Sequence, residues 1–329
     1  MVRGVSQVFI AGPPLVKRVG EEVDKEGLGG AHIHARESGV SDNEVDSEEE
    51  AFDQIRRFLA YLPQNVWGQP QRAKPEDDPK RRDEELLRII PRNRRQVYNA
   101  RKLLDHVLDR GSFFEIARRY GPSLVTGLAR LDGYAVGVLA SDPYHAGGAL
   151  TAAGSEKMTR FVDLCDTFHL PVVNFVDQPG FLIGTAAERA GTVRKGVRAL
   201  SAIYQATVPW ISVIVRRVFG VAGAGHANVQ ALNLRYAWPS GDWGSLPLEG
   251  GIEAAYKREL EAAPDRAALM REIEERLNRV RSPFRTAEAF NIEEIIDPRD
   301  TRPLLTDWVA LAYENEATRL GVKTRGMRP

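Results

Sequence analysis

The sequence predicts an α/β fold whose centre is a pair of parallel strands joined by a helix. Residues 172–176 and 211–215 are short runs of mainly apolar and β-branched residues, which is typical of strands covered on both faces. Between them, apolar residues recur at helical spacing over 199–204. A strand, a helix and a second strand in this order predict a right-handed crossover. We therefore expect the loops after both strands to open at one sheet edge, where α/β proteins place their functional sites.

The composition argues against several kinds of partner. The 329 residues suffice for one large or two ordinary domains, and a hydrophobic content of 43% supplies a core. The 45 basic and 45 acidic residues cancel, so no overall field favours nucleic acid or a membrane surface. No apolar run of the sequence reaches the roughly 18 residues of a membrane span.

The cysteine and histidine content gives no sign of a disulfide or a metal site. The single cysteine, Cys165, excludes an intramolecular disulfide and predicts a cytoplasmic protein or one from a reducing organelle matrix. Its apolar neighbours favour a packed thiol over a catalytic one. His32 and His34 would share one face of a strand, but a structural role is the more typical one. We expect no metal in this chain.

The first part of the chain is predicted to be the end of one domain, followed by a linker. Residues 8–11 form an apolar run that predicts a buried strand. Residues 47–61 predict an amphipathic helix, because acidic residues fill its first turn and apolar residues recur on one face. Residues 64–82 are polar and proline-rich, which is typical of a linker. We therefore predict two domains, 1–63 and 83–329.

The second domain is predicted to begin with a helix and a hairpin. Residues 97–108 carry apolar positions at helical spacing. Residues 124–129 and 134–140 predict two strands, and Asp132-Gly133 between them is a strong hairpin signal. Two antiparallel strands before a helix–strand repeat form a ββα unit.

Two helices are predicted toward the C-terminus. Residues 254–278 are charged with apolar positions at helical spacing, and Pro264 is expected to split or kink this helix. Residues 306–320 predict a terminal helix.

The small-residue loop 220–223 follows the second buried strand. Small residues let a backbone approach a ligand closely. If a helix starts here, its first N–H groups are free to bind an anion, and two of them aimed at one oxygen form an oxyanion hole. A turn of this kind more often serves only to pack a helix on a strand, so the loop by itself is a weak signal.

Several segments, in this order, share their residues with one known family. They are 8–16 (VFIAGPPLV), 155–161 (SEKMTRF), 166–171 (DTFHLP), 177–181 (DQPGF), 217–222 (RVFGVA) and 297–302 (DPRDTR). Through them nearly the whole chain resembles the carboxyltransferase (β) subunit of biotin-dependent acyl-CoA carboxylases, the propionyl-CoA, acetyl-CoA and methylcrotonyl-CoA carboxylase group.

The resemblance implies a fold, an activity and partners. The family fold is a crotonase-like ββα spiral used twice, so we expect a complete biotin-side domain at 83–329 and only the end of an acyl-CoA-side domain at 1–63. The implied activity moves CO₂ from carboxybiotin to the α-carbon of an acyl-CoA. Biotin would be carried by a separate carrier protein or a biotin carboxylase subunit. The chain is expected to form a homo-oligomer or to need another chain for the missing half, and to be inactive alone.

The resemblance also assigns site residues. The backbone N–H groups of Val221 and Ala222 would hold the biotin ureido oxygen. Further residues expected to bind substrate or biotin are Gly147, Gly148, Phe181, Phe219, Gly220, Gly223 and Ala224.

This chain departs from the family pattern at positions near the site. Val221 stands where many members have glycine, and Ala224 stands where propionyl-type members have an acidic residue. Residues 246–251 lack a Met-Gly pair that is frequent in the family. Val221 implies closer steric limits, the loss of the acidic residue at Ala224 implies a different acyl pocket, and Leu246-Pro247 would remove one backbone donor.

Three other functions stay open at this point. A biotin-dependent decarboxylase or transcarboxylase uses the same site in another direction. A truncated subunit could serve assembly without catalysis, as the departures at the site would allow. A crotonase-type hydratase or isomerase is the third, but its usual paired glutamates are not apparent.

Overall fold

The computed structural model describes residues 1–226, 231–244 and 248–328 (without the side chains of 248–250 and 280), and a mixed β-sheet forms its centre. Among the described residues the sheet has eight strands. They are β1 Phe114–Ile116, β2 Leu124–Leu131, β3 Tyr134–Ser141, β4 Val172–Gln178, β5 Trp210–Phe219, β6 Asn233–Ala237, β7 Asp242–Gly244 and β8 Glu294–Ile295. The order in the sheet is β1-β2-β3-β4-β5-β6-β8, and β7 pairs with β5.

Helices surround this sheet in the described part of the chain. They are α1 Pro13–Val16, α2 Lys25–Gly29, α3 Ala31–Ile33, α4 Glu48–Leu59, α5 Ala100–Val107, α6 Ala152–Thr167, α7 Thr185–Arg189, α8 Thr192–Gln205, α9 Gly220–Ala224, α10 Leu248–Ala255, α11 Lys257–Ala262, α12 Arg266–Val280, α13 Pro283–Glu288 and α14 Thr301–Glu316. Of the described helices, none has the length and apolarity needed to cross a membrane.

The predicted hairpin is confirmed. β2 and β3 pair antiparallel along their whole length. The turn between them consists of Asp132 and Gly133, whose φ angles of 49° and 78° are the left-handed values that a two-residue hairpin turn requires. Helix α6 then leads from β3 to β4, which completes the ββα unit.

The predicted parallel pair is also confirmed. β4 and β5 pair in register from Val172 opposite Trp210 to Val176 opposite Ile214, with α8 between them in the chain. β3 with β4 and β5 with β6 are parallel as well. The site-bearing loops of these strands therefore lie at one end of the sheet.

The sheet is covered on both faces, as its continuous apolar strands predict. On β4, Val173 and Phe175 pack into one core cluster with α5 and α14. The neighbouring residue Val172 packs into a second cluster with α6 and α8. Cys165 lies in this second cluster, and burial raises the pKa of its thiol. The expected packed cysteine is confirmed.

The prediction of a strand at residues 8–11 is wrong. Val8 and Ile10 are exposed, and the nearest strand pairing is an isolated bridge between Gln7 and Gly30. A single bridge leaves most backbone groups of the run without a ladder partner, so the apolar pattern does not produce a strand. His34 lies in a helical turn and bonds Ser38, so the predicted strand face shared by two histidines is also absent from this region.

Helix α4 confirms the predicted helix, but its apolar stripe is largely uncovered. The Ser47 hydroxyl accepts a hydrogen bond from the Glu50 amide and caps the first turn. Phe52, Ile55 and Leu59 are nevertheless more than half exposed. The hydrophobic face of this helix is therefore available to another surface.

Residues 64–82 contain no helix or strand and contact residues beyond 82. The Gln69 side chain bonds the Tyr313 carbonyl, and the Ala73 amide bonds the Gly133 carbonyl. The division into domains 1–63 and 83–329 stays a prediction. Near the C-terminus, α11 and α12 are separated at Pro264, as predicted.

Candidate functional site

The candidate site lies where β3, β4 and β5 end. These strands lead into residues 142–149, into residues 179–184 and into helix α9, respectively. Because the strands are parallel neighbours, the segments that follow them emerge at one edge. The sequence predicted this common edge for the segments after β4 and β5.

Helix α9 starts directly at the end of β5. Phe219 precedes the helix with extended φ and ψ of −116° and 141°, and Gly220 has a left-handed φ of 59° that favours glycine. The first amides of a helix, here those of Val221 and Ala222, have no acceptor within the helix. The predicted turn from strand into helix is confirmed. The donor role of these two amides stays a prediction.

The side chains of α9 divide between solvent and core. Val221 is 66% exposed and Ala224 is exposed, whereas Ala222 and Gly223 are buried. A Cβ at Gly223 would lie 2.7 Å from the carbonyl carbon of Val218. Glycine at 223 therefore permits the close packing of α9 on β5. A binding role for Gly223 or Ala224 stays a prediction.

The loop after β3 meets the end of β5. Ala146, Gly147 and Gly148 have left-handed φ angles of 50°, 62° and 83°. The Nη2 of Arg217 donates to the Gly147 carbonyl oxygen at 2.7 Å. A Cβ at Gly148 would lie 3.2 Å from the carbonyl oxygen of Asp177. The structure thus brings the predicted residues Gly147 and Gly148 close to the ends of β4 and β5.

A buried carboxylate joins these strand ends. Asp177, at the end of β4, is fully buried and accepts hydrogen bonds from Arg216 at 2.8 Å and from Arg217 at 2.6 Å. Burial by itself raises the pKa of Asp177, but the hydrogen bonds and charges of Arg217 and Arg216 outweigh it and lower that pKa below its usual value. Two guanidinium groups thus share one carboxylate at the ends of β4 and β5.

A buried histidine ties α9 to the other two segments. His226 follows α9, and its Nδ1 lies 3.1 Å from the Asn174 amide nitrogen while its Nε2 lies 3.2 Å from the Gln178 amide oxygen. The Gln178 amide nitrogen donates to the carbonyl oxygens of Gly148 and Gly180. This pattern requires the neutral imidazole with its proton on Nε2. Burial lowers the pKa of His226 to about 4, so the ring stays neutral at pH 7.

Sequence reasoning missed His226 and the role of Asp177. Asp177 belongs to a segment that carries the family resemblance, which was the one available signal. No local pattern marks His226, because its partners lie on β4, far away in the chain.

Phe181 is placed beside the site but faces a helix. Leu150 and Phe181 form an isolated bridge, so the segment after β4 runs next to the loop after β3. A Cβ at Gly196 of α8 would lie 2.3 Å from the Phe181 ring. The ring therefore packs on α8, and its predicted binding role stays a prediction.

A cavity of about 850 Å³ adjoins these segments. Gly147 and Phe219, both predicted site residues, line it together with Arg216 and Arg217. Residues 220–224 of α9 are not among its described lining residues. The expected opening of a cavity toward the first amides of α9 stays a prediction.

A second cavity, of about 660 Å³, lies between α4 and α6 and is lined by Lys157. Lys157 is 5% exposed, and its Nζ donates to the Leu124 carbonyl oxygen. Burial lowers the pKa of this amine to about 7. Sequence reasoning did not single out this residue, although it belongs to one of the family-like segments.

One of the predicted departures from the family pattern lies outside the described residues. Residues 246 and 247, where the Met-Gly pair is lacking, lie outside the described residues. In the described part of the chain, no group of three or more His, Cys, Asp and Glu side chains is arranged to hold a metal ion.

The chain matches a family model and several curated proteins. The model, described as "Carboxyl transferase domain", matches residues 1–327. The carboxyltransferase subunit of propionyl-CoA carboxylase from Haloferax mediterranei is 41% identical over 92% of this chain and 59% of its own length. The alpha subunit of methylmalonyl-CoA decarboxylase from Veillonella parvula is 34% identical over 97% of this chain and 62% of its own length.

Solved structures agree with this match. A crystal structure of transcarboxylase 12S, described as a hexamer with methylmalonyl-coenzyme A bound, superposes with a TM-score of 0.89 and 31% identity over 98% of this chain and 62% of that one. A single-chain, multi-domain long-chain acyl-CoA carboxylase gives a TM-score of 0.75 at 27% identity over 96% of this chain and 29% of that one. The predicted crotonase-like α/β class is thereby confirmed.

The chain spans about three fifths of the length of the two curated relatives, 59% and 62%. Within that span the similarity runs through nearly every described element and includes all three strand ends of the candidate site. The chain therefore belongs to the carboxyl transferase domain family.

Proposed function

We propose that this chain supplies the biotin-side carboxyltransferase site of a biotin-dependent acyl-CoA carboxylase. A carboxyl group would move from biotin, held on a carrier protein, to the α-carbon of an acyl-CoA. The observation that carries the proposal is helix α9, which starts at the end of a buried strand beside Arg216, Arg217 and Asp177 in a chain of this family. The family match and this geometry support the same site.

The residues around α9 fit a compact polar ring such as that of biotin. Gly220 and residues 222–224 are small, so no bulky side chain of α9 stands at the helix start. Val221 is the one larger residue of this helix, and its side chain is exposed to solvent. Its replacement of the family glycine is thus compatible with free backbone amides.

Biotin, when bound, supplies a transferable carboxyl group and a ureido oxygen that becomes negative as the carboxyl group leaves. The amides of Val221 and Ala222 would donate hydrogen bonds to that oxygen and stabilise its charge. Loss of one such donor in comparable sites raises the barrier by about 3–4 kcal/mol. Arg216 and Arg217, against the one carboxylate of Asp177, add positive charge nearby.

The buried histidine of this site, His226, is not free to act as a base. Both nitrogens of His226 are engaged, with Asn174 and Gln178, so it holds its proton rather than moving it. The role we assign to the described residues is to bind, orient and stabilise charge.

The substitution Ala222→Pro tests the proposal, because proline removes one amide donor and is tolerated in the first turn of a helix. In the complex assembled with the biotin carrier and acyl-CoA-side partner chains, we expect carboxyl transfer to fall about 10²-fold or more. The rate is measured as the formation of labelled carboxylated acyl-CoA when acyl-CoA is saturating.

Val221→Ala is the matched control, since it keeps the amide and changes only an exposed side chain. We expect it to retain activity, and thermal unfolding should show both variants folded. Undiminished transfer by Ala222→Pro contradicts the oxyanion assignment. An inactive wild type in the complete complex would instead favour a subunit that serves only assembly.

A second candidate function differs from the first in the direction of carboxyl transfer. The similarity to a methylmalonyl-CoA decarboxylase subunit and to transcarboxylase 12S favours decarboxylation or transcarboxylation as the alternative. Supplying the assembled complex with a carboxylated acyl-CoA and biotin, and then with carboxybiotin and acyl-CoA, distinguishes the directions by their rates.

A further inference from the structure

The wall of the 850 Å³ cavity is rich in arginine. Asp242 is the one acidic residue among the described residues that line it. The six lining arginines are Arg92, Arg94, Arg95, Arg216, Arg217 and Arg281.

Only part of this positive charge is neutralised. Arg216 and Arg217 share Asp177. On the neighbouring strand β7, the Asp242 carboxylate bonds the Arg281 Nε at 2.8 Å and also lies 3.4 Å from a guanidinium nitrogen of Arg94. In both places one carboxylate therefore serves two arginines.

Arg281 has an unsatisfied donor. Its side chain is 7% exposed, and its Nε and Nη2 bond Asp242. Its Nη1 is buried and has no hydrogen-bond partner among the described residues. The guanidinium carbon lies 4.9 Å from the centre of the Phe219 ring. A buried charged donor without an acceptor costs free energy, which indicates a place for an acceptor that the chain does not provide.

Arg92 and Arg95 add exposed positive charge to the lining of the cavity. Both are exposed on the segment that also carries Arg94, and neither side chain forms an ion pair with a described residue. Exposed guanidinium groups on one short segment can turn toward an anion in the cavity and bind it in the planar, two-point geometry that arginine favours.

We propose that this cavity binds the phosphate group of an organic ligand, with Arg281, Arg92 and Arg95 as its partners. Several unneutralised guanidinium groups suit a doubly charged oxyanion better than a neutral ligand. The volume of about 850 Å³ exceeds what a lone phosphate fills and is in the range of drug-sized ligands. Leu87 and Val97, also in the lining, are exposed and provide apolar surface for the remainder of the ligand.

Calorimetric titration of the full chain at low ionic strength tests this proposal. The probes are inorganic phosphate, coenzyme A as a phosphate ester, and pantetheine, which lacks the phosphates. The variants are the double substitution Arg92→Gln with Arg95→Gln, and Arg281→Lys, which keeps the charge but removes the free Nη1. Arg198→Gln, an exposed arginine on α8 that does not line the cavity, is the control.

We expect phosphate or coenzyme A to bind, pantetheine not to bind, and both cavity variants to weaken binding about tenfold or more while the control does not. If the cavity variants weaken the binding of both inorganic phosphate and coenzyme A, the site binds free phosphate. If they weaken the binding of coenzyme A alone, the site binds a phosphate ester. Binding that is unchanged in the double variant, or equal for coenzyme A and pantetheine, overturns the proposal.

If Arg281→Lys fails to fold, the double variant keeps the test valid, because the exposed side chains of Arg92 and Arg95 form no ion pair with a described residue. No turnover is measured, so the result is independent of the proposed carboxyl transfer.

Discussion

Asp177 and Lys157 show how partners decide the charge of a buried side chain. Burial penalises the ionised form of both groups. Asp177 has Arg216 and Arg217 in contact, and its pKa falls below the usual value. The Lys157 Nζ donates to the carbonyl oxygen of Leu124, and carboxylates act on it only at a distance, so burial dominates and its pKa falls to about 7.

The Lys157 amine makes stability depend on pH. Its pKa falls from 10.5 in the unfolded chain to about 7 in the folded one, so between these values the unfolded chain binds a proton that the folded chain does not. Raising the pH through this window therefore stabilises the folded state, by up to about 1.4 kcal/mol per pH unit. Below pH 7 the group is protonated in both states and this dependence vanishes.

Denaturant unfolding of the wild type and of Lys157→Met from pH 6 to pH 10 measures this effect. We expect the variant to be the more stable at pH 6, because it buries no charge, and the difference to shrink as the pH rises. Lys25→Met, at an exposed lysine, should differ from the wild type by the same amount at every pH. A pH-independent difference for Lys157→Met would mean that this amine is not desolvated.

At the scale of elements, the sequence correctly predicted those turns and helix starts that residues close together in the chain determine. The β2–β3 hairpin follows from Asp132-Gly133, and the start of α9 follows from small residues after an apolar strand. The strand at residues 8–11 failed because a strand also needs a partner, which no local pattern supplies. Asp177 and His226 gained their roles only through pairing of β4 with β5 and the position of α9.

The network around His226 connects three elements of the site. It links the segment after α9 to β4 through Asn174 and Gln178, and Gln178 holds the loops at Gly148 and Gly180. We therefore expect His226→Leu to lower carboxyl transfer in the assembled complex about tenfold or more per folded molecule, because loops and α9 lose their common anchor.

His169 provides the matched control for that substitution. It is also a buried histidine with both ring nitrogens bonded, to Glu316 and to the Val66 carbonyl oxygen, and none of these partners belongs to the site. His169→Leu should lower the melting temperature without changing the rate per folded molecule. His226→Gln, which can bond through its amide, should recover part of the rate. If His226→Leu, His226→Gln and His169→Leu all have the same rate per folded molecule, His226 has a purely structural role.

At the scale of the whole molecule, apolar side chains remain uncovered in the first 63 residues. Val8 and Ile10 are exposed on the segment before α1, and Phe52, Ile55 and Leu59 are exposed on α4. Exposed apolar surface of this kind is typical of an interface between chains. The hexamer described for transcarboxylase 12S is consistent with assembly in this family.

We therefore predict that the chain associates, with itself or with a chain that carries an acyl-CoA-side domain, through these residues. Light scattering after size exclusion at micromolar concentration should show an oligomer, or a complex when the partner chain is present. Ile10→Glu and Ile55→Glu should shift the population toward the monomer, because each places a charge on the surface that association buries. Phe290→Glu changes an exposed apolar residue outside the first 63 residues and should leave the size unchanged. A wild-type chain that stays monomeric with and without the partner chain contradicts this assembly.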